Sequence, residues 1–181
     1  RIFEKNPDIH LDIGSRVDGF VAHVASFRKI EVLDIRAKEK IINNISFKKA
    51  NLMNLDKNLI NYCDSLSCLH TLEHFGLGRY NDPIDFEGHL SGLNNMHKIL
   101  KKGGVFYLSV PIGRQRIEFN AHRVFSVKYL LKIFKEKYTL SKFSYVDDSG
   151  NLYKNVEIND EDITRNYNCD YGCGIFEMIK K

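Results

Sequence analysis

The sequence predicts an α/β fold, a Rossmann-like doubly wound and mostly parallel sheet of about seven strands with an antiparallel closing strand. Short apolar runs alternate with stretches of helical periodicity along the chain. The run 63–69 is followed by titratable residues, His70, Glu73 and His74, which is typical of a strand end that binds ligands in an open α/β sheet. A second apolar run, 105–110, follows a glycine pair that ends the preceding segment. These observations place a ligand site at one edge of the sheet.

Each element is predicted from its own local pattern. Apolar runs between polar or glycine-containing turns predict strands at 9–13, 31–35, 47–50, 63–69, 105–110, 139–146 and 174–179. Apolar residues at helical spacing predict helices at 19–27, 87–100 and 127–134, with a short helix or turn at 38–45. The length of 181 residues predicts a single domain over residues 1–181.

Charge and hydropathy exclude several classes of protein. The net charge is +4 and the lysines are not clustered with aromatic residues, so we expect no nucleic-acid partner. No apolar run approaches the roughly 18 residues of a membrane span, and the first residues lack the apolar segment of a signal peptide. We therefore expect a cytoplasmic protein without a membrane span. The chain begins at Arg1 rather than Met, which leaves room for an upstream segment.

The four cysteines predict free, buried thiols in a reducing compartment. Cys63 and Cys68 lie in or beside a predicted buried strand, and Cys169 and Cys173 lie in a distant segment that contains glycine. Neither pair has the close C-x-x-C spacing of a structural zinc site, so we expect no zinc there.

The loop after the first strand suits close contact between the backbone and a ligand. Asp12-Ile13-Gly14-Ser15 opens this loop, and Gly19 begins the next helix. Asp34, at the end of the second strand, follows Asp12 by 22 positions. This is near the roughly 20-residue spacing at which a carboxylate binds a ribose in dinucleotide folds. Because the loop lacks the full G-x-G-x-x-G pattern, it favours an adenosyl ligand over a dinucleotide.

On these residues the chain resembles the class I S-adenosylmethionine-dependent methyltransferases. The segment 12–15 is similar to the family's first motif, Asp34 to the acid that binds the ribose, and Asn51-Leu52 to the position that contacts adenine. The segment 99–104, before an apolar strand and Pro111, is similar to a later motif. The resemblance implies S-adenosylmethionine as cofactor. It implies binding by Asp12, Gly14, Ser15, Arg16, Asp34, Ile35, Asn51, Leu52 and His70.

Two longer segments carry a narrower resemblance. The segments 72–85 and 120–125 are similar to an uncharacterised bacterial family often found with surface-polysaccharide genes. This resemblance implies O-methylation of a sugar or sugar derivative in surface polysaccharide synthesis, with a small-molecule or glycan acceptor. The alternative is a catalytically silent methyltransferase-like module that serves in binding or as a scaffold. Retained affinity for the cofactor counts against that alternative.

The residues after the fourth strand permit three interpretations. If a helical turn follows the strand, His70, Glu73 and His74 share one face and, with His122, form a site for a divalent metal. Three imidazoles favour zinc, iron or manganese over magnesium. Without a metal, His74 or His122 is the general base that takes a proton from the acceptor, with Glu73 beside it. In the third interpretation, Glu73 and His74 only stabilise the loop that follows.

Polar residues near this edge are candidates for contacts with the acceptor. Arg79, Tyr80 and Asp82 lie in a glycine-containing loop and are candidates to bind a polar acceptor. Equally, Asp82 begins a turn and Arg79 pairs with a nearby acid. Arg123 predicts a phosphate or carboxylate on the acceptor, because a guanidinium binds both groups.

Overall fold

A mixed sheet of eight strands organises the chain in this computed structural model, which describes residues 1–17, 19–36 and 42–181. The strands of those ranges, of which β6 and β7 form a separate hairpin, are β1 (His10–Ile13), β2 (Ile30–Asp34), β3 (Ile45–Lys49), β4 (Cys63–Leu69), β5 (Leu100–Ile112), β6 (Arg116–Glu118), β7 (His122–Val124), β8 (Tyr138–Val146), β9 (Leu152–Tyr153) and β10 (Gly172–Lys180). The order in the sheet is β3-β2-β1-β4-β5-β10-β8-β9.

The strand directions confirm the predicted Rossmann-like class. Strands β3, β2, β1, β4 and β5 pair in parallel, whereas β10 pairs antiparallel with both β5 and β8. The antiparallel end is larger than predicted, because β9 extends it beyond β8. Since β10 runs against the parallel strands, its first residues lie at the edge where β4 and β5 end.

The helices are α1 (Ile2–Lys5), α2 (Gly19–Ala25), α3 (Gly88–Ile99), α4 (Val127–Phe134) and α5 (Asp160–Thr164). Helix α4 has the predicted bounds, and the Ser126 side chain accepts a hydrogen bond from the Tyr129 backbone N–H at its start. Residues 38–41 of the predicted helix or turn at 38–45 lie outside the described residues. No helix in the described ranges is long and apolar enough to cross a membrane.

The apolar core divides into two clusters of buried side chains. The larger cluster includes residues of β1, β4, β5, α3, α4, β8 and β10. The smaller cluster includes Val21 and Val24 of α2 and Ile30 and Val32 of β2. Burial of these side chains is the main favourable term in holding the helices on the sheet. The polar residues at the carboxyl ends of the strands lie outside this apolar packing and form the candidate site.

A buried polar network holds the predicted cofactor acid Asp12 inside the sheet. His10 Nδ1 lies 2.7 Å from Ser65 Oγ, and His10 Nε2 lies 3.2 Å from Ser67 Oγ. The Ser67 hydroxyl donates to Asp12 Oδ1 at 2.5 Å. Because Ser67 donates to the carboxylate, its oxygen accepts from His10 Nε2–H, which fixes a neutral imidazole tautomer. Burial lowers the pKa of His10 to about 3, and the charge of Arg28 adds to the lowering.

Gly14 brings the loop after β1 against the turn after β4. Its φ of 76° is in the left-handed region, and its N–H donates to the Leu33 carbonyl oxygen at 2.8 Å. A Cβ atom on Gly14 would lie 2.3 Å from Thr71 Cγ2, which is too close for any side chain. Glycine at this position therefore meets a conformational and a steric requirement.

We predict that Gly14→Ala lowers the free energy of unfolding by about 2–4 kcal/mol. This is the sum of two costs, that of an alanine in the left-handed region and that of overpacking against Thr71. Gly150→Ala is the matched control, because Gly150 has a φ of 85° and no atom within 4 Å of the added Cβ. The control should lose only about 1–2 kcal/mol, from the backbone term alone. Urea unfolding of both variants measures the difference, and equal losses would contradict the close contact with Thr71.

We also predict that His10 makes the fold sensitive to acid. Its pKa is about 3 in the folded state and 6.5 in the unfolded chain, so the unfolded state binds the proton first as the pH falls. This destabilises the fold by about 2 kcal/mol between pH 7 and pH 5. The His10→Asn variant lacks this titration. The difference in free energy of unfolding between wild type and variant should therefore narrow by about 2 kcal/mol from pH 7 to pH 5. Parallel pH curves in urea unfolding would contradict the prediction.

Candidate active site

A cavity of about 510 Å³ lies where β1, β2 and β4 end. This volume is in the range of small-molecule and cofactor sites. The predicted cofactor residues that line it are Gly14, Ser15, Arg16, Asp34, Ile35, Asn51, Leu52 and His70. Asp12 does not line the cavity but lies buried behind it, where its carboxylate accepts a hydrogen bond from the Ser15 N–H at 3.2 Å. Its position supports the loop rather than a direct contact with a ligand.

Asp34 is held at this cavity by Arg36. The Arg36 side chain donates from Nε to Asp34 Oδ1 at 2.9 Å and from Nη2 to Oδ2 at 2.7 Å, and its backbone N–H donates to Oδ1 at 2.8 Å. Paired N–H donors of this kind orient a carboxylate plane. The Arg36 guanidinium carbon also lies 4.9 Å from the centre of the Tyr80 ring, a cation–π distance. The acid and the aromatic ring are therefore positioned by one side chain.

The segment after β3 forms another wall of the cavity. Asn51 Oδ1 accepts a hydrogen bond from the Met53 N–H at 3.0 Å, and Asn95 of α3 donates to the Leu52 carbonyl oxygen at 2.9 Å. These bonds fix the segment at the position that the sequence predicts for adenine contact. Ala50 and Met53 line the cavity beside the predicted pair.

The turn after β4 differs from the predicted helical turn. His70 has a φ of 50°, in the left-handed region that is costly for a side chain with a Cβ atom, and a single 3₁₀ turn follows at Leu72–His74. The chain therefore changes direction between His70 and His74, and the i, i+3, i+4 face is not formed. His70 Nδ1 lies 3.3 Å from Glu73 Oε1, whereas His74 points to a different group of residues.

The structure does not support the predicted metal site. His70 contacts both Glu73 and Cys173, while His74 contacts Ala121 and lies near His122. In the described part of the chain, no group of three or more His, Cys, Asp or Glu side chains is arranged to hold a metal ion. The four predicted ligands are thus divided between two groups, His70 with Glu73 and His74 with His122.

His74 and His122 lie together beside the cavity. His74 Nδ1 lies 2.8 Å from the Ala121 carbonyl oxygen, and the two imidazole centres are 6.1 Å apart. Tyr80 packs edge-on against His74, and Tyr171 packs against His122. Burial lowers the pKa of His122, and the neighbouring His74 lowers it further. Among the described residues, His122 Nε2 is buried and has no hydrogen-bond partner.

The predicted acceptor residues divide between the cavity wall and the framework. Tyr80 and Asp82 line the cavity, while Arg79 is exposed and donates to the Asn120 carbonyl oxygen at 3.2 Å. Asp82 accepts hydrogen bonds from the backbone N–H groups of Gly76, at 2.7 Å, and Tyr80, at 3.1 Å. Asp82 therefore stabilises the loop that precedes it, and Arg79 bonds to a carbonyl oxygen rather than to the acid that the alternative interpretation gave it.

Arg123 is a framework residue in the structure rather than a surface contact. It is 2% exposed, and its guanidinium donates to backbone carbonyl oxygens of Glu73, Phe75 and Phe86. Arg123 does not line the cavity, and its guanidinium bonds to the backbone in place of the phosphate or carboxylate that the sequence predicted.

The cysteines are free, as predicted, but they are not all buried. Cys63, Cys68 and Cys169 are buried, whereas Cys173 is partly exposed beside His70. The sequence pattern around Cys173 gave no sign of this, because its partner His70 is far away along the chain. Sequence reasoning also missed several residues that line the cavity, namely Phe20, Arg36, Met53, Thr71 and Phe75. The nearest signal was the position of Arg36 two residues after Asp34.

Solved structures with this fold cover most of the chain. The N-methyltransferase NodS from Bradyrhizobium japonicum WM9, in complex with S-adenosyl-L-homocysteine, is 14% identical, covers 96% of this chain and 78% of its own, and has a TM-score of 0.62. A Burkholderia thailandensis 1,6-didemethyltoxoflavin-N1-methyltransferase, with bound S-adenosylhomocysteine, is 13% identical, covers 99% and 74%, and has a TM-score of 0.64. The [4+2]-cyclase SpnF is 13% identical, covers 94% and 74%, and has a TM-score of 0.66.

At these identities the comparison shows the fold alone, a Rossmann-like fold that the chain shares with these methyltransferases. No curated protein matches the chain. The predicted link to surface polysaccharides is not tested by these comparisons and stays a prediction. A family model with the description "Caenorhabditis protein of unknown function, DUF268" matches residues 18–171. This match spans most of the chain, which therefore belongs to the DUF268 family.

Proposed function

We propose that the protein is an S-adenosylmethionine-dependent methyltransferase that acts on a hydroxyl of a sugar or sugar derivative. The observation that carries the proposal is the cavity, because the predicted cofactor residues other than Asp12 converge on it. The fold supports the cofactor class, since two structures with this fold hold the demethylated cofactor. As part of the same proposal, the enzyme is one cytoplasmic domain that takes a small-molecule or glycan acceptor of surface polysaccharide synthesis.

The residues present fit the proposed cofactor. Asp34 is 4% exposed and fixed by Arg36, so its carboxylate is in a set orientation to accept hydrogen bonds from ribose hydroxyls. Gly14 has no side chain where its loop comes closest to the turn after β4. This wall of the cavity is therefore formed by backbone atoms. When bound, S-adenosylmethionine supplies a methyl group already activated on a sulfonium. The chain then has to orient the acceptor and remove its proton.

His74 is the better placed general base of the two predicted histidines. Its Nδ1 faces a carbonyl oxygen, which only accepts, so Nδ1 carries the proton in the neutral ring. Its Nε2 then has the free lone pair that a base requires, and the side chain lines the cavity. The lowered pKa of His122 keeps that neighbouring ring neutral near pH 7, so it does not repel a proton arriving on His74.

The rim of the cavity suits a polar acceptor of small size. Tyr80 presents a phenol ring between Arg36 and His74, and Arg79 supplies a charged group at the outer edge. A sugar offers several hydroxyls to such groups and an apolar ring face to the aromatic residues. The alternative, a silent module, has the same fold but has no need of a fixed Asp34 carboxylate or of a base with a free Nε2.

We predict that Asp34→Ala weakens binding of S-adenosylmethionine by about 100-fold, because two charge-assisted hydrogen bonds are lost. Asp34→Asn should retain part of the affinity. Glu161→Gln, an exposed acid of α5 that pairs with Arg165, is the matched control and should bind as wild type does. Calorimetric titration measures all four proteins, with circular dichroism to confirm folding. No binding to a folded wild-type protein would support the silent module.

We predict that His74→Asn lowers kcat for methyl transfer by about 100-fold or more, with cofactor affinity unchanged, because loss of a general base affects only the chemical step. His23→Asn, on the exposed face of α2, is the control and should keep wild-type kcat. The assay follows S-adenosylhomocysteine formation with a panel of free and nucleotide-linked sugars. Unchanged kcat in a folded His74→Asn protein would assign proton removal to another group, and turnover only with non-sugar acceptors would exclude the sugar.

A further inference from the structure

Cys173, His70 and Glu73 form a chain of contacts at the edge of the sheet. Cys173 Sγ lies 3.3 Å from His70 Nε2, and His70 Nδ1 lies 3.3 Å from Glu73 Oε1. The contacts thus join a thiol to one imidazole nitrogen and a carboxylate to the other. This is the order in which a nucleophile, its base and an orienting acid are arranged in enzymes with covalent intermediates.

The three side chains differ in burial in a way that suits a reactive thiol. Cys173 is partly exposed and the His70 side chain is 52% exposed, so a reagent from solvent reaches both. Glu73 is only 3% exposed, and its Oε2 has no hydrogen-bond partner among the described residues. A buried carboxylate with one unsatisfied oxygen favours a positive charge on the adjacent imidazole.

His70 lies within reach of the Cys173 proton, because its Nε2 is 3.3 Å from Cys173 Sγ. The hydrogen bond with Cys173 and the one with Glu73 together raise the pKa of His70 to about 10. An imidazolium next to a cysteine is a common setting for reactive thiols. The left-handed backbone of His70 is a second mark of such sites, because strained residues are frequent where catalytic groups are held in place.

The other three cysteines provide an internal contrast. Burial raises the pKa of Cys63 to about 12 and that of Cys169 to about 11, and it also raises the pKa of the fully buried Cys68. Thiols in such surroundings are inert. Of the cysteines, which all lie in the described ranges, Cys173 alone joins solvent access to an imidazole partner.

We propose that Cys173 and His70 form a covalent capture site for α,β-unsaturated carbonyl compounds. The proton of the Cys173 thiol passes to His70 and the sulfur adds to the β carbon, so that an S–C bond forms and the C=C π bond breaks. The electron pair moves to the α carbon and carbonyl, and the His70 imidazolium gives this same proton to the α carbon, which leaves a neutral imidazole. This class of compound uses both members of the pair, because it needs a nucleophile and a proton donor on adjacent atoms.

N-ethylmaleimide is the probe that tests the site, since it is an α,β-unsaturated carbonyl compound. The folded protein without any cofactor is treated at pH 6.5, and the labelled cysteine is identified by peptide mass spectrometry. We expect one adduct, on Cys173, formed about tenfold faster than on the same cysteine in the urea-unfolded chain. Because an ordinary thiol is only about 1% thiolate at that pH, a neighbouring base that removes the proton speeds the addition.

Two variants separate the pair from simple exposure. His70→Asn should slow labelling of Cys173 about tenfold, while His23→Asn should leave the rate unchanged. Cys173→Ser should abolish the adduct. A native rate no faster than the unfolded rate, or an unchanged rate in a His70→Asn protein that is folded by circular dichroism, would overturn the proposal. The experiment contains no S-adenosylmethionine, so its outcome is independent of the proposed methyl transfer.

Discussion

The buried guanidinium of Arg123 is the interaction on which the geometry of the candidate site depends. A buried cation is costly unless its N–H groups are satisfied, and here they donate to backbone carbonyl oxygens at Glu73, Phe75 and Phe86. These oxygens belong to the 3₁₀ turn after β4 and to the loop that leads into α3. Because His122 precedes Arg123 in β7, the same contacts hold His122 beside His74. The buried charge of Arg123 therefore helps to set the positions of both imidazoles.

A second arginine links the cofactor side of the site to the acceptor side. Arg36 orients the Asp34 carboxylate and lies over the Tyr80 ring, which packs edge-on against His74. A ligand that binds Asp34 therefore also affects Arg36. Arg36 in turn contacts Tyr80, on the proposed acceptor side of the cavity. In a methyltransferase this order of contacts suits the chemistry, because the cofactor and the acceptor must be aligned in one direction for transfer.

The fold was more predictable than the site because its signals are local. The strand 63–69 and the helix 127–134 have the predicted bounds, while the β6–β7 hairpin and β9 were missed since they are short and lack an apolar pattern. Gly14, directly after β1, and Asp34, the last residue of β2, could be selected because both mark a strand end. The contact between His70 and Cys173 joins residues 103 positions apart through the antiparallel return of β10, and no local pattern contains it. Because the backbone of His70 is left-handed, the predicted helical turn with its metal ligands on one face does not form.

The fold alone does not decide the chemistry at this edge of the sheet. The solved structures with this fold include two N-methyltransferases and a protein named as a [4+2]-cyclase, so the fold by itself does not determine the reaction. In this chain the edge holds two groups, His74 with His122 and Cys173 with His70. His70 also lines the cavity, so one imidazole contacts both the cavity and the Cys173 thiol. A cofactor that contacts His70 therefore alters the surroundings of the Cys173 sulfur, which makes thiol reactivity a direct physical probe of the filled cavity.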